Sequence, residues 1–122
     1  KWMLAGGWCA YTSKGTTISD TLAERLYEAA EKHLNGYAEI MEKGKQEGVY
    51  SSKQTPIRTD KSDGDKDLEA DFFVLKHTAC AAVLTENLFM DNKRDVSFLL
   101  SEKGKQSIVA LHRDGILNFI KQ

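Results

Sequence analysis

The sequence predicts an α/β fold, a layered sheet flanked by helices, folded as a single domain over residues 1–122. Two observations point there. Short apolar runs of strand length stand at Gly7–Thr12, Phe72–Leu75 and Ala81–Thr85. Between and after them, apolar residues recur at helical spacing, from Leu22 to Leu34 and from Ile108 to Ile120. With 122 residues, 41% of them hydrophobic and 29% charged, the chain is long enough to bury a core without staples.

Each element has its own local reason. Gly7–Thr12 (Gly-Trp-Cys-Ala-Tyr-Thr) reads as a strand after a Gly-Gly hinge, closed by the turn Ser13-Lys14-Gly15. A helix follows with Ser19 as its N-cap, Asp20 and Glu24 near its positive end, and Leu22, Leu26, Ala29, Ala30 and Leu34 on one face. Asn35-Gly36 supplies a left-handed stop. Tyr37 to Lys45 forms a short helix carrying Ile40 and Met41, and Gln46 to Asp67 is a polar excursion holding the only proline. Residues 36–56 are expected as an insertion or mobile loop. The runs at Phe72 and Ala81 suit strands covered on both faces. Two helices finish the chain. The first spans Lys93–Leu100, with Asp91 or Asn92 as cap and Val96, Leu99 and Leu100 inward. The second follows the N-cap Ser101 and carries Ile108, Leu111, His112, Ile116, Phe119 and Ile120.

Composition narrows the function classes. Seventeen basic against 18 acidic residues, net charge -1, argue against a nucleic-acid partner, which calls for a basic face. No apolar run approaches the roughly 20 residues that span a bilayer. The opening Lys1-Trp2-Met3-Leu4 lacks the layout of a secretory signal and runs almost at once into a strand, so the chain is expected to be a fragment of a longer protein. A fragment with an unpaired strand edge is expected to self-associate. Cys9 and Cys80 lie among small and apolar residues and read as buried free thiols.

One residue stands out chemically. Glu86 follows a buried strand, in Val83-Leu84-Thr85-Glu86-Asn87-Leu88-Phe89, where the chain turns toward a helix. Ligands of α/β sheets bind outside such strand ends. Apolar neighbours at Leu84, Leu88 and Phe89 are expected to desolvate the carboxylate and raise its pKa toward the range useful for proton transfer. The bland alternative is a Glu that caps a turn or pairs with a nearby Arg or Lys.

The ordered series of motifs resembles the zinc-dependent N-acetylmuramoyl-L-alanine amidases of the type 3 amidase family. That family ends on a strand apolar-Leu-Val-Glu, then Gly-Phe-Leu-Ser-Asn, an acidic residue, a Leu-Leu pair and a helix with Gly-Ile. Here the chain reads Ala82-Val83-Leu84-Thr85-Glu86-Asn87-Leu88-Phe89-Met90-Asp91-Asn92, then Asp95, Leu99-Leu100 and Asp114-Gly115-Ile116. Upstream, Phe73-Val74-Leu75-Lys76 matches an apolar segment ending Val-Leu-Arg, Gly7-Trp8-Cys9-Ala10-Tyr11 is similar to Gly-Val-Glu-Val-Tyr, and Leu22-Ala23 to the Leu-Ala opening the next helix. Ala81 replaces a usual Pro, and Asn87-Leu88 replaces a small Gly step, which bears on local turn geometry.

The resemblance implies the C-terminal half of a catalytic domain that acts on peptidoglycan. The bond is the amide between the lactyl group of N-acetylmuramic acid and L-alanine, and Glu86 moves protons to and from the attacking water. It implies zinc in the intact protein, held by two His and one Glu in motifs that this chain lacks, so no metal ligand is expected among its own residues. His33 and His112 are expected on helices as ordinary histidines, and His77 at the end of an apolar run. Arg58, beside Lys61, resembles a basic segment of the family and is a candidate for the substrate's carboxylates. The setting implied is a secreted or cell-envelope protein or a phage lysin. The alternative is a non-catalytic wall-binding or regulatory domain that retains the fold.

Overall fold

Trp8–Thr12 forms strand β1, the centre of a three-stranded sheet, in a computed structural model that describes residues 1–62 and 64–122. β1 is followed by helices α1 (Ile18–His33) and α2 (Tyr37–Gln46), the short strand β2 (Leu68–Glu69) and the one-turn helix α3 (Phe73–Lys76). Strand β3 (Leu84–Asn87) and helices α4 (Lys93–Leu100) and α5 (Glu102–Lys121) complete the chain. The sheet order is β2-β1-β3. β2 runs parallel to β1, pairing Tyr11 with Leu68, and β3 runs antiparallel, pairing Cys9 with Glu86 and Ala10 with Thr85. The sheet is therefore mixed, and the α/β architecture matches the expectation.

Alternation along β1 creates two unlike faces. Trp8, Ala10 and Thr12 turn toward α1, where Trp8 meets Tyr27 edge-on at 5.0 Å and Thr12 Oγ1 donates to Asp67 at 2.6 Å. Asn87 and Thr85 of β3 share that face. Asn87 Oδ1 accepts from Trp8 Nε1 at 3.0 Å, and Thr85 Oγ1 meets His112 Nε2 of α5, also at 3.0 Å. α1 and α5 pack against each other through Leu26, Ala30 and Leu111, and Gly115 makes this approach possible. A Cβ at Gly115 would lie 2.6 Å from Leu26 Cδ2 and 2.9 Å from its Cα. Burying large side chains such as Trp8, Tyr27 and Leu111 stabilises this layer by about 1.5–3 kcal/mol each.

A polar hub ties the ends of the sheet together. Asp95, fully buried in α4, accepts hydrogen bonds from Gly7 N at 3.0 Å, Phe89 N at 2.9 Å and Tyr50 Oη, which in turn meets Tyr37 Oη at 2.6 Å. Burial pushes the Asp95 carboxyl up to about 6 against the opposing pull of the two backbone donors. Gly7 is at φ 106, and a Cβ there would sit 2.3 Å from Thr55 O, so the expected Gly-Gly hinge is a close backbone crossing. Asn92 caps α4 by accepting from Arg94 N and Asp95 N, while its amide donates to Met3 O and Val49 O.

Several expectations need correction. Phe72–Leu75 is no buried strand: it starts α3, where only Leu75 is buried and Phe73 is 77% exposed. The strand expected at Ala81–Thr85 lies at Leu84–Asn87, so Glu86 sits within it, and it is half-exposed. α1 is capped by Thr17 in a capping box with Asp20, and Ser19 Oγ instead accepts from Ala82 N at 2.9 Å. α1 ends at His33 on the C-cap Leu34, and Gly36 has an ordinary φ of -69, so no left-handed stop is used. By contrast, the short helix expected from Tyr37 forms as α2, and Tyr37, Met41 and Tyr50 are buried in the core. Phe98 points inward in α4 where Leu100 was expected, Ile116 and Ile120 are exposed on α5, and Cys80 is exposed while Cys9 is buried. Of the loop from Arg58 to Gly64, Asp63 lies outside the described residues.

Candidate active site on the open face of the sheet

The opposite face of β1 presents Cys9 and Tyr11, and its composition differs from the packed side. Pairing places Glu86 directly across from Cys9 and Leu84 across from Tyr11. Antiparallel partners share a face, so Glu86 and Cys9 emerge together. Arg58 reaches the same point from the 56–58 segment: its Nη1 lies 3.7 Å from Cys9 Sγ, and its guanidinium sits 5.1 Å from the centre of the Phe89 ring. The two residues singled out in the sequence, Glu86 and Arg58, thus flank one buried thiol.

Electrostatics link the three groups. Burial pushes the Cys9 thiol up, the Arg58 charge pulls it back, and the Glu86 charge adds to the rise. Tyr11 is raised for the same reasons, burial first, with Cys9 and Glu86 adding and Arg58 opposing. Glu86 itself is exposed, so the apolar enclosure expected from Leu84, Leu88 and Phe89 is not formed. Leu88 is buried just beyond it at φ 71, a left-handed conformation costing a non-glycine residue about 1–3 kcal/mol. A Leu therefore occupies the turn where the resemblance places a small Gly step.

Arg58 is positioned through its backbone. Its amide donates to Trp8 O at 2.7 Å, and its carbonyl accepts from Tyr27 Oη at 2.9 Å. The same phenol accepts from Ala10 N at 3.1 Å, filling the gap where the 56–58 segment leaves β1 before β2 begins. A buried backbone amide left without a partner there would cost about 1–3 kcal/mol. Burial drives the Tyr27 phenol far above its usual range, so it acts as a neutral bridge. Of the four arginines, Arg25, Arg94 and Arg113 each pair with a carboxylate, whereas among the described residues no carboxylate pairs with Arg58 within 4.0 Å.

The histidines go elsewhere. His33 Nε2 meets Asp114 Oδ2 at 2.6 Å, His112 bridges Thr85 and the Ile108 carbonyl, and exposed His77 stacks on Phe73 with ring centres 4.2 Å apart. Among the described residues, the one group of three ligand-type side chains within 4.8 Å of one another is Asp20, Asp65 and Asp67. It borders a cleft of about 610 Å³ between α1 and the loop containing Lys61 and Lys66, on the packed side. Burial and the nearby Asp20 charge raise the Asp67 carboxyl, while the Thr12 hydroxyl opposes them. Three hard oxygen donors do not fit the two-imidazole, one-carboxylate zinc set that the resemblance implies.

Comparison with known proteins decides the family. The sequence profile of N-acetylmuramoyl-L-alanine amidases matches residues 4–118. The chain belongs to this family. The endolysin of Bacillus phage SPP1 is 39% identical over 51 residues, which are 42% of this chain and 19% of that protein. The match therefore spans about a fifth of the length of this relative. No solved structure matches.

Within this chain of the amidase family, three residues around the candidate site carry little signal in the sequence. Cys9 reads in the sequence only as a buried free thiol, and its pairing with Glu86 and its contact with Arg58 come from the fold. Tyr27, the clamp on Arg58, carries no local signal beyond its place on the apolar face of α1. Asp95 appeared only as a motif position, though an acidic residue beside a cap and ahead of an apolar helix hints at burial.

Proposed function

We propose that this chain forms part of the catalytic domain of a peptidoglycan hydrolase that cleaves the amide between the lactyl group of N-acetylmuramic acid and L-alanine. Family membership over residues 4–118 carries the reading. The exposed carboxylate of Glu86 beside an unpaired guanidinium supplies its chemistry. Glu86 takes a proton from water as the water oxygen bonds to the amide carbonyl carbon. As the C–N bond breaks, Glu86 returns the proton to the leaving nitrogen, giving a lactyl carboxylate and a free L-alanine amine. Arg58 receives a carboxylate of the stem peptide. Zinc dependence of the intact protein enters this proposal through family membership alone, and the proton steps above belong to Glu86.

Action at the cell envelope, by a secreted protein or a phage lysin, is part of the same reading, and the phage relative supports it. Purified walls incubated with the intact protein should yield new L-alanine N-termini without new reducing sugar ends. New reducing ends with no new amines would instead place the cut in the glycan. The alternative reading is a wall-binding or regulatory domain that retains the fold. It predicts retention on walls with neither product.

A further inference from the structure

We propose that the aromatic ledge formed by Phe72, Phe73 and His77 at α3, continued by Tyr11 of β1, binds the glycan strand of peptidoglycan through the apolar faces of its N-acetylated sugar rings. The inference rests on the amidase reading and adds a subsite to it. α3 buries only Leu75, while Phe73 is 77% and Phe72 39% exposed. Single exposed apolar residues are ordinary, but adjoining aromatics on one short helix form a patch of the kind that marks a binding surface.

The geometry is suited to a flat ligand. The Phe73 and His77 rings lie 4.2 Å apart at an interplanar angle of 28°, a stacked pair rather than the edge-to-face contact seen for the buried Trp8 and Tyr27. The turn is held by backbone bonds from Lys76 N to Phe72 O and His77 N to Phe73 O, and by the Thr78 hydroxyl on Val74 O. The platform is therefore ordered before any ligand arrives.

Position ties it to the candidate active site. Phe72 meets Tyr11 edge-on at 5.3 Å and 83°, and Tyr11 lies two residues beyond Cys9 on the same sheet face. Phe72 thus joins the start of α3 to the strand that carries Cys9. A substrate with sugar on one side of the scissile amide and peptide on the other matches this division. Pyranose rings present a face of C–H groups that packs on an aromatic plane, while Arg58 takes the peptide's charge.

The test uses the intact protein and chitotetraose, a peptide-free oligomer of N-acetylglucosamine, followed by calorimetric titration. Phe73→Ala should weaken chitotetraose binding at least tenfold and raise KM for walls with kcat unchanged, and Phe73→Tyr should restore both. Because Phe73 is exposed, the thermal midpoint should stay in place, and His77→Ala provides an independent variant with a smaller loss. Absence of chitotetraose binding by the wild type, or equal affinity in wild type and Phe73→Ala, overturns the ledge. So does a Phe73→Ala change confined to self-association. Amine release that persists with unaltered glycan affinity defeats the ledge alone. Ledge-dependent glycan binding without amine release defeats the amidase reading and leaves the sugar site standing.

Discussion

The two faces of β1 share a backbone and divide the work of the molecule. On one face Trp8, Ala10 and Thr12 are sealed by α1 and by β3 side chains that reach α5. On the other, Cys9 is sealed, yet Tyr11 and Arg58 are only half-buried and Glu86 is exposed. The packed face has its polar groups satisfied internally: Trp8 Nε1 by Asn87, Thr12 by Asp67 and Ala10 N by Tyr27. Among the described residues, the Glu86 carboxylate and the Arg58 guanidinium of the open face form no salt bridge. The two-residue period of a strand thus separates the packed face from the candidate site, and substitutions on the two faces should fail in different assays.

The largest effect is expected on the packed face. Trp8→Ala removes a fully buried indole with its contact to Tyr27 and its bond to Asn87, and should lower unfolding free energy by about 3–5 kcal/mol in chemical denaturation. A loss below about 1 kcal/mol would erase the contrast between the faces.

The hub beneath β1 gives the next effect, read as pH dependence. The Asp95 carboxyl is raised from 3.8 to about 6, chiefly by burial, so the folded state binds this proton more tightly than the unfolded state. Its stabilising contribution is complete below about pH 4, falls as pH rises through 6, and is level above that. A shift of this size corresponds to up to about 3 kcal/mol. Asp95→Asn keeps an oxygen for Gly7 N and Phe89 N and turns an amide toward Tyr50, imitating the protonated acid. Denaturation midpoints of this variant between pH 4 and 7 should lack the decline seen in the wild type. An unchanged slope would assign the decline to other groups.

The smallest of these effects belongs to Arg58 on the open face. Arg58→Ala should raise KM for walls about tenfold, roughly 1.4 kcal/mol, with little change in kcat and stability. Arg58→Lys should recover only part of the loss, because an ammonium lacks the planar fork. A collapse of kcat with unchanged KM would move Arg58 from substrate binding to the chemical step.

Much of this was legible because it is locally encoded. The sequence places α4 and α5 with Ser101 as one cap and Asp91 or Asn92 as the other, and Asn92 and Ser101 accept amides of the very next turn. Elements fixed by partners far along the chain were not. β2 is a two-residue strand whose sequence, Leu-Glu, has no period to detect, and it exists because Thr12 and Tyr11 pair with it. The Phe72–Leu75 run fits a buried strand and an exposed turn of helix equally well, and periodicity cannot choose between them over four residues. Glu86 could be picked out as a carboxylate near the end of a strand, but its exposure depends on what covers the sheet. Its meeting with Arg58 over Cys9 spans 49 residues of chain between Cys9 and Arg58, beyond any local pattern.

The central proposal is that the Glu86 side chain moves protons while the fold rests on its backbone pairing alone. The direct measurement is amine release from purified walls by Glu86→Gln in the intact protein, alongside its thermal midpoint. The account predicts a fall of about 10²- to 10⁴-fold in rate with the midpoint unchanged. Wild-type release by this variant, or a rate loss matched by an equal loss of folded protein, would contradict it.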